Sequence, residues 1–424
     1  MWDKFAQIWR AKDVRNRLLF VLAMLVIFRV VAHIPIPGVN LANLRNYLDG
    51  NQILGLFNIF SGGTLQNFSI VMLGVGPYIT ASIIIQLLTM IVPSMEEMSK
   101  EGEAGQHKIN MYTRWLTIPL ALLQSYGMIQ LLNQSGQQVL TNLTPLSMVA
   151  IMLTVTAGTM FLMWLGELIS EKKVGNGVSL LIFAGIVSSL PGFVNQAYLN
   201  YDPSKIFTYI LFAAAAILTV VGVVFISEGQ RNIPVSYAKH MRGNKSFGGA
   251  NTHLPFRVNM AGVIPIIFAV SLILFPSMIA QFFVSADAEW MRNLANGTIK
   301  LFQNQPFYNS MYFLLVFGFT FFYTSVVFHP QKIAENLQKQ GGFIPGIRPG
   351  RETELYLTKT MNRLNLAGAL FLGAIAILPL VAQSLAGTQS LTIGGTSLLI
   401  VVAVAIETSK QIEALLTMHQ YDTI

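Results

Sequence analysis

Residues 70–92 read IVMLGVGPYITASIIIQLLTMIV, an uncharged and largely apolar run that is long enough to cross a membrane as a helix. Nine further apolar runs occur at residues 18–34, 116–132, 146–169, 178–194, 207–227, 258–283, 308–328, 364–382 and 391–406. Because unpaired backbone groups are costly in lipid, and because runs of this kind lack the alternation of a barrel strand, we expect each run to be helical. The predicted fold class is therefore an all-α polytopic membrane protein with ten transmembrane helices.

The composition also points to a lipid environment. Charged residues make up 11% of the 424 residues, against about 25% in ordinary soluble domains, and 53% of the residues are hydrophobic. With a mean hydropathy of +0.56, the chain carries more apolar side chain than a soluble domain of this length could bury. Cysteine is absent, which excludes disulfides, a thiol nucleophile and thiolate metal ligands.

The basic residues are distributed unevenly between the two sides of the predicted membrane. Of the 27 Lys and Arg residues, 22 fall in the two termini and in one set of alternate loops. The opposite loops hold only Arg45, Lys205, Arg292 and Lys300. Because basic loops stay on the cytoplasmic side, residues 1–17 and 407–424 are predicted to be cytoplasmic termini. We expect a multi-pass protein of the cell's inner (plasma) membrane.

A short motif recurs in the second and seventh spans, as GVGP at residues 74–77 and GVIP at residues 262–265. Two halves of five spans each, at residues 18–194 and 207–406, would place these motifs in corresponding helices. The odd number of spans would invert the second half, with a hinge at 195–206 outside the cell and a central pore between the halves. Glycine and proline are also common in membrane helices, so the recurring motif alone does not show that the two halves are related.

Residues 54–64, LGLFNIFSGGT, are too few to cross the membrane and too apolar for water. One interpretation is a re-entrant segment enclosed by the bundle, and the other is a loop resting on the outer surface. This stretch by itself supports both equally.

The sequence offers little catalytic or coupling chemistry. It has no His-Glu-x-x-His motif, no phosphate-binding Gly-x4-Gly-Lys-Ser/Thr loop and no dinucleotide-binding Gly-x-Gly-x-x-Gly motif. Within or beside the spans, the clear ionisable residues are Arg29, His33 and Glu167, fewer than an ion-coupled transporter usually carries. We therefore predict no enzyme activity, no catalytic or metal-binding residues and no cofactor, and any energy would come from a partner or a gradient.

Two loops on the basic side, residues 228–257 and 329–363, are longer than a connection requires, which indicates a function. The second contains GGFIPGIRPG at residues 341–350, where prolines restrain the chain on either side of Arg348. An exposed arginine fork can bind phosphate or carboxylate. For any single basic residue here, the positive-inside rule alone is the better explanation.

Six stretches lie in order along the chain: FSGG (60–63), GPYITASIIIQLL (76–88), GNG (175–177), NMAGVIP (259–265), PGIRPG (345–350) and GGTSLLI (394–400). Together they closely resemble the bacterial SecY family, whose members are the channel subunits of the Sec translocon. Unfolded polypeptides cross or enter the membrane through these channels. The resemblance spans essentially all ten predicted helices.

The resemblance implies where the working parts should lie. The pore ring would consist of Val75, Ile79, Val178, Ile182, Ile267 and Ile400. Valine stands at Val75 and Val178 where isoleucine is common in bacterial relatives. The plug, within residues 55–69, would include Phe57, Asn58, Ile59, Phe60, Ser61, Gly62, Gly63, Thr64 and Leu65. This favours the enclosed, re-entrant interpretation. The second and third spans would face the seventh and eighth as a lateral gate.

The resemblance also implies partners. Docking of the ribosome and of the SecA ATPase is expected at Arg231, Lys239, Arg242, Lys245, Arg348 and Arg351. Asn232 and Asn244 stand where relatives often carry arginine, so the first loop is less basic than usual. Small SecE-like and SecG-like membrane subunits, membrane lipid and a polypeptide bearing a signal sequence complete the expected partners.

The expected function is a passive protein-conducting channel. It would move unfolded secretory chains across the membrane and release signal or transmembrane segments sideways into lipid. The alternative, suggested by the recurring motif and the inverted repeat that it indicates, is a secondary transporter of a small solute.

Overall fold

The structure is a computed structural model, and it describes residues 7–49, 54, 58, 61–133, 139–140, 144–199, 203–237, 240–242, 245–247, 251–284, 288–386 and 395–422. The first half of the chain contributes helices α1 (Lys12–Val31), α2 (Leu41–Asp49), α3 (Gly76–Ile91), α4 (Pro93–Lys100), α5 (Glu103–Asn133), α6 (Pro145–Glu171) and α7 (Gly177–Leu199). The second half contributes α8 (Ile206–Glu228), α9 (Ile264–Phe283), α10 (Glu289–Gln303), α11 (Gln305–Val327), α12 (Pro330–Lys339), α13 (Arg351–Ala386) and α14 (Gly395–Asp422).

Every one of the ten predicted spans overlaps a helix, namely α1, α3, α5, α6, α7, α8, α9, α11, α13 and α14. By length and composition alone, four described helical stretches could cross a membrane: Glu103–Asn133, Pro145–Glu171, Gln305–Lys339 and Arg351–Leu378. The pair Gly76–Ile91 and Pro93–Lys100, bent by 101°, makes a fifth if it counts as one span. Helices α7, α8 and α9 contain shorter apolar stretches.

The second and seventh spans are helical over a shorter length than predicted, and this corrects the boundaries at 70 and 258. Helix α3 begins at Gly76 and α9 at Ile264, and the residues before them form turns. In both cases a glycine with positive φ comes just before the helix, Gly74 at 58° and Gly262 at 65°. A valine then caps the helix, and a proline occupies its first turn. The two sequence motifs therefore build the same local structure, a helix that starts late after a sharp turn.

The helix contacts repeat between the two halves. In the first half the contacting spans are 1–4, 1–5, 2–3, 2–4, 3–4 and 4–5. All of these except the 2–4 contact recur in the second half, as 6–9, 6–10, 7–8, 8–9 and 9–10. The halves meet on one side where α9 contacts α3 and α5, and on the other where α14 contacts α1 and α7. This agrees with two related five-helix halves around a common centre.

The two long loops contain short strands beside the all-α bundle. Strand β1 (Gln230–Tyr237) pairs antiparallel with β4 (Asn251–Arg257) in the first loop and with β5 (Gly342–Phe343) in the second. The short strands β2 (His240–Arg242) and β3 (Lys245–Phe247) form a hairpin. A small apolar core, containing Ile233, Val235, Phe256, Leu337, Ile344 and Leu357, holds the two loops together.

The main core lies where the transmembrane helices face one another, and the outward faces remain apolar. On α1, Leu22, Val26 and Val30 are 57%, 61% and 61% exposed and lie on one face of the helix. An exposed aliphatic stripe of this length is unfavourable in water and suits contact with lipid tails.

Candidate functional site

The six residues predicted to form the pore ring come from four helices, and three of them, Ile79, Val178 and Ile267, line one cavity. Five of them are buried, and all five belong to a single apolar cluster: Val75, Ile79, Ile182, Ile267 and Ile400. Val178 is partly buried and packs against the same cluster. A group of aliphatic tips offers no hydrogen bond to water or to a passing chain.

Local structure explains how these side chains are positioned. Val75 caps α3, and its carbonyl accepts the first helical hydrogen bond from the amide of Ile79 at 3.0 Å. The two side chains therefore lie on the same side of the first turn. Val178 and Ile182 lie one turn apart at the start of α7, where the side chain of Asn176 accepts a hydrogen bond from the amide of Ser179 at 3.1 Å.

A cavity of about 440 Å³ opens beside the ring residues Ile79, Val178 and Ile267. Its walls come from α3, α5, α6, α7, α9 and α11, and they are largely polar: Ser82, Gln86, Asn110, Arg114, Glu167, Ser170, Glu171, Asn176 and Ser179. Within the wall, Arg114 Nε donates to Glu167 Oε1 at 2.8 Å. The cavity is thus wettable along its walls and aliphatic where it meets the ring.

The cavity lies between the two halves of the bundle. Helices α3 and α5 supply Tyr78 and Asn110 to one wall, while α9 and α11 supply Phe268 and Tyr323 to the other. Phe268 packs edge-on against Tyr323 with ring centroids 6.2 Å apart. This is the pair of faces that the sequence predicts as a lateral gate.

The described part of the predicted plug lies inside the bundle. Ser61, Thr64 and Leu65 are almost fully buried. Asn58 fixes the segment, since its side-chain oxygen accepts from the amide of Gln66 at 3.0 Å and its carbonyl accepts from the amide of Gly63 at 2.7 Å. Phe57, Ile59 and Phe60 lie outside the described residues.

Two contacts attach this segment to the surrounding helices. From α1, Arg29 Nη1 donates to the carbonyl oxygen of Gly62 at 2.8 Å. From α7, Gly185 lies backbone to backbone against Gly62, and a methyl group added to Gly185 would collide with the Gly62 Cα. Gly62 has φ of 79°, a conformation that favours glycine.

The predicted docking residues lie in the two paired loops. Arg231 on β1 is exposed, as are Arg348 and Arg351 at the turn that leads into α13. The turn is held by Thr353, whose hydroxyl donates to the carbonyl of Arg348 at 3.0 Å. Arg242 is the last residue of β2 and Lys245 is the first residue of β3. The two lie opposite each other in the antiparallel register. Lys239 lies outside the described residues.

Sequence reasoning missed two polar contacts at this site. Arg29 and Glu167 stood out as ionisable residues in or near spans, but their partners Gly62 and Arg114 did not. Adjacent spans with a base and an acid at similar depth could have suggested the Arg114–Glu167 pair. The bond from Arg29 to a carbonyl leaves no signal in the sequence. Within the described residues, no group of three His, Asp or Glu side chains is arranged to hold a metal ion.

Comparison with known proteins decides the family. A family profile described as SecY matches residues 69–409. The protein translocase subunit SecY of Halalkalibacterium halodurans is 44% identical, and the match covers 99% of this chain and 99% of that one. The chain belongs to the SecY family.

Solved structures agree on the fold. One, described as showing that the plug domain of the SecY protein stabilises the closed state of the translocation channel, matches with a TM-score of 0.64 at 18% identity. That match covers 94% of this chain and 91% of the other. A second, described as Sec61 in the canine ribosome–channel complex, matches with a TM-score of 0.58 at 17% identity, covering 94% and 91%.

Membership of the SecY family fixes the general function. The protein is a multi-pass membrane protein and a protein-conducting channel subunit, not an enzyme. The expectation of a channel is confirmed, and the small-solute transporter is not supported.

Proposed function

We propose that Val75, Ile79, Val178, Ile182, Ile267 and Ile400 are the pore ring through which an unfolded chain passes. The observation that carries this proposal is that Ile79, Val178 and Ile267, from three different helices, border one polar cavity between the two halves. The other three residues, Val75, Ile182 and Ile400, are buried in the main apolar core of the bundle. An aliphatic constriction can dewet and so block ions at rest. It also accepts any side chain, because it makes no specific hydrogen bond.

The segment around residues 58–65 is the plug in this proposal. It lies inside the bundle, and Arg29 and Gly185 hold it through Gly62. One is a single side-chain hydrogen bond to the Gly62 carbonyl and the other is a close approach of two glycine backbones, so only these two contacts to Gly62 need to break when the segment leaves. Irregular backbone of this kind is tolerated at membrane depth because protein surrounds it.

The lateral gate would open between α3 and α5 on one side and α9 and α11 on the other. An apolar signal segment gains free energy when it leaves the polar cavity for lipid, and it binds the open gate better than the closed one. This difference in affinity supplies the drive for opening. The contacts of α14 with α1 and α7 would then act as the hinge side.

The paired loops would be the docking face on the cytoplasmic side of the inner (plasma) membrane, with both termini on that side. The basic residues of these loops support the orientation. A ribosome is one expected partner, as in the canine Sec61 complex. SecA-like ATPase docking at the same loops, and small SecE-like and SecG-like subunits along the bundle, complete the proposal.

The plug assignment is tested by deleting residues 57–64 and recording single-channel currents across a planar bilayer. Loss of the segment should produce ion currents at rest, because without the plug beside it the ring would seal the pore only incompletely. Currents as small as those of the intact protein would remove the plug assignment. Saturable uptake of one small solute by vesicles holding the intact protein, without any effect on secretion, would instead revive the transporter alternative.

A further inference from the structure

Helix α10 (Glu289–Gln303) connects α9 to α11 on the side opposite the paired loops, and it presents an apolar face that no other described part of the chain covers. Trp290, Leu294 and Leu301 are 62%, 63% and 52% exposed. Together with the exposed Gly297, their spacing of four, three and four residues places them in one line along the helix.

The other faces of α10 are accounted for. Ala295 is buried, and Met291, Ile299 and Phe302 are half-buried on the face turned to the bundle. Asn293, Asn296 and Lys300 are exposed on a third face, spaced three and four residues apart. The helix therefore has one face against protein, one polar face, and one exposed apolar face between them.

Helix α10 adjoins the ends of two membrane helices, since it contacts both α9 and α11. Phe283 at the end of α9 and Phe307 at the start of α11 are 42% and 37% exposed. Phe307 packs edge-on against Phe302 on the bundle-facing side of α10, with ring centroids 5.6 Å apart. Helix α10 therefore lies where the two membrane helices end and the lipid headgroups would begin.

We infer that α10 lies in the headgroup region of the outer leaflet, with Trp290, Leu294 and Leu301 inserted into lipid. A tryptophan at the helix start suits this depth, because indole rings concentrate at the membrane interface. Lys300 beside the stripe can reach lipid phosphates, and anionic lipid would strengthen the contact. The inference rests on the proposed membrane orientation.

A protein partner is a poorer occupant of this face. Three large side chains in a single line are too small an area for a stable protein–protein interface, which usually buries more than about 1,000 Å² in total. Lipid needs no matching surface, and exposed phenylalanines also stand at the neighbouring ends of α9 and α11. Because α10 directly follows the gate helix α9, insertion would anchor that helix to the outer leaflet.

The absence of cysteine allows a direct test by single labels. Three full-length variants, Leu294→Cys, Asn296→Cys and Ile217→Cys, would each carry a spin label. They would be reconstituted into vesicles made of equal parts phosphatidylcholine and phosphatidylglycerol. Collision with oxygen, which concentrates in lipid, would be compared with collision with a water-soluble nickel complex. Ile217, on the outward face of α8, is 65% exposed and is the reference for membrane depth.

The label at 294 should collide mainly with oxygen, and the label at 296, half a turn away, mainly with nickel. A nickel-accessible label at 294 would mean that the face lies in water. A label at 294 shielded from both reagents would mean that protein covers it. Either result overturns the inference while leaving the channel proposal intact, provided that the label at 217 is oxygen-accessible. A nickel-accessible label at 217 would overturn the membrane placement and this inference with it.

Discussion

At the scale of single residues, the plug proposal depends on how Gly62 is held. The guanidinium of Arg29 donates to the Gly62 carbonyl at 2.8 Å, and a hydrogen bond from a charged group contributes roughly 1.5 to 3 kcal/mol. Arg29→Met keeps the length of the side chain but removes the donor. We expect about a tenfold rise in the time that single channels spend open, taking the lower figure. The open time should rise less in Arg29→Lys, which retains a donor. Equal currents in both variants would contradict the role of this bond.

Gly185 offers a second residue-scale test with a matched control on the same helix. A methyl group at Gly185 would collide with Gly62, whereas one at Gly192 meets no atom within 4 Å. Both changes replace glycine by alanine in α7, so both gain the same helix propensity. Gly185→Ala should displace the plug and raise resting ion leakage. Gly192→Ala should leave resting ion leakage unchanged. Equal leakage from the two variants would show that the close approach does not matter for sealing.

At the scale of elements, hydropathy predicted where helices lie but not where they begin. All ten spans contain a helix, yet α3 starts six residues later than the apolar run at 70, because Gly74 adopts a positive φ and Pro77 favours the first turn. The motif at 74–77 held this information, but apolar content alone cannot distinguish a turn enclosed by protein from a helix. The sheet was missed because β1 and β5 lie about a hundred residues apart and β5 has only two residues.

The β1–β5 pairing places Arg348 beside the first loop and suggests a test of docking. Arg348 is exposed at a turn held by the Thr353 hydroxyl, so reversing its charge should not disturb the fold. Arg348→Glu should strongly reduce partner-driven export while thermal unfolding stays unchanged. Lys332→Glu makes the same charge change at an exposed position of α12 and is the control. Normal export by Arg348→Glu, or equal loss in the control, would count against docking at this turn.

At the scale of the whole molecule, the repeated helix contacts leave two seams between the halves. One seam, where α9 meets α3 and α5, contains the polar cavity. The other, where α14 meets α1 and α7, reaches the cavity only through Val178 and Ser179 at the start of α7. Opening at the first seam with the second as hinge would expose the cavity to lipid. The two inverted halves could be predicted from the odd number of spans in each half and from one recurring motif. The ring residues came from family resemblance, since nothing about an isolated isoleucine separates a pore position from ordinary packing.

The central claim is that a chain in transit touches the aliphatic ring. The most direct measurement places a photo-cross-linker at Ile79, at Ile400 and, as an outward control, at Ile217, in membranes carrying a secretory chain arrested in transit. Ile79 and Ile400 are buried in the core, whereas Ile217 faces outward on α8. The account predicts adducts with the arrested chain from both ring positions and none from Ile217. Failure of both ring positions, or adducts that form equally well at all three, would contradict it.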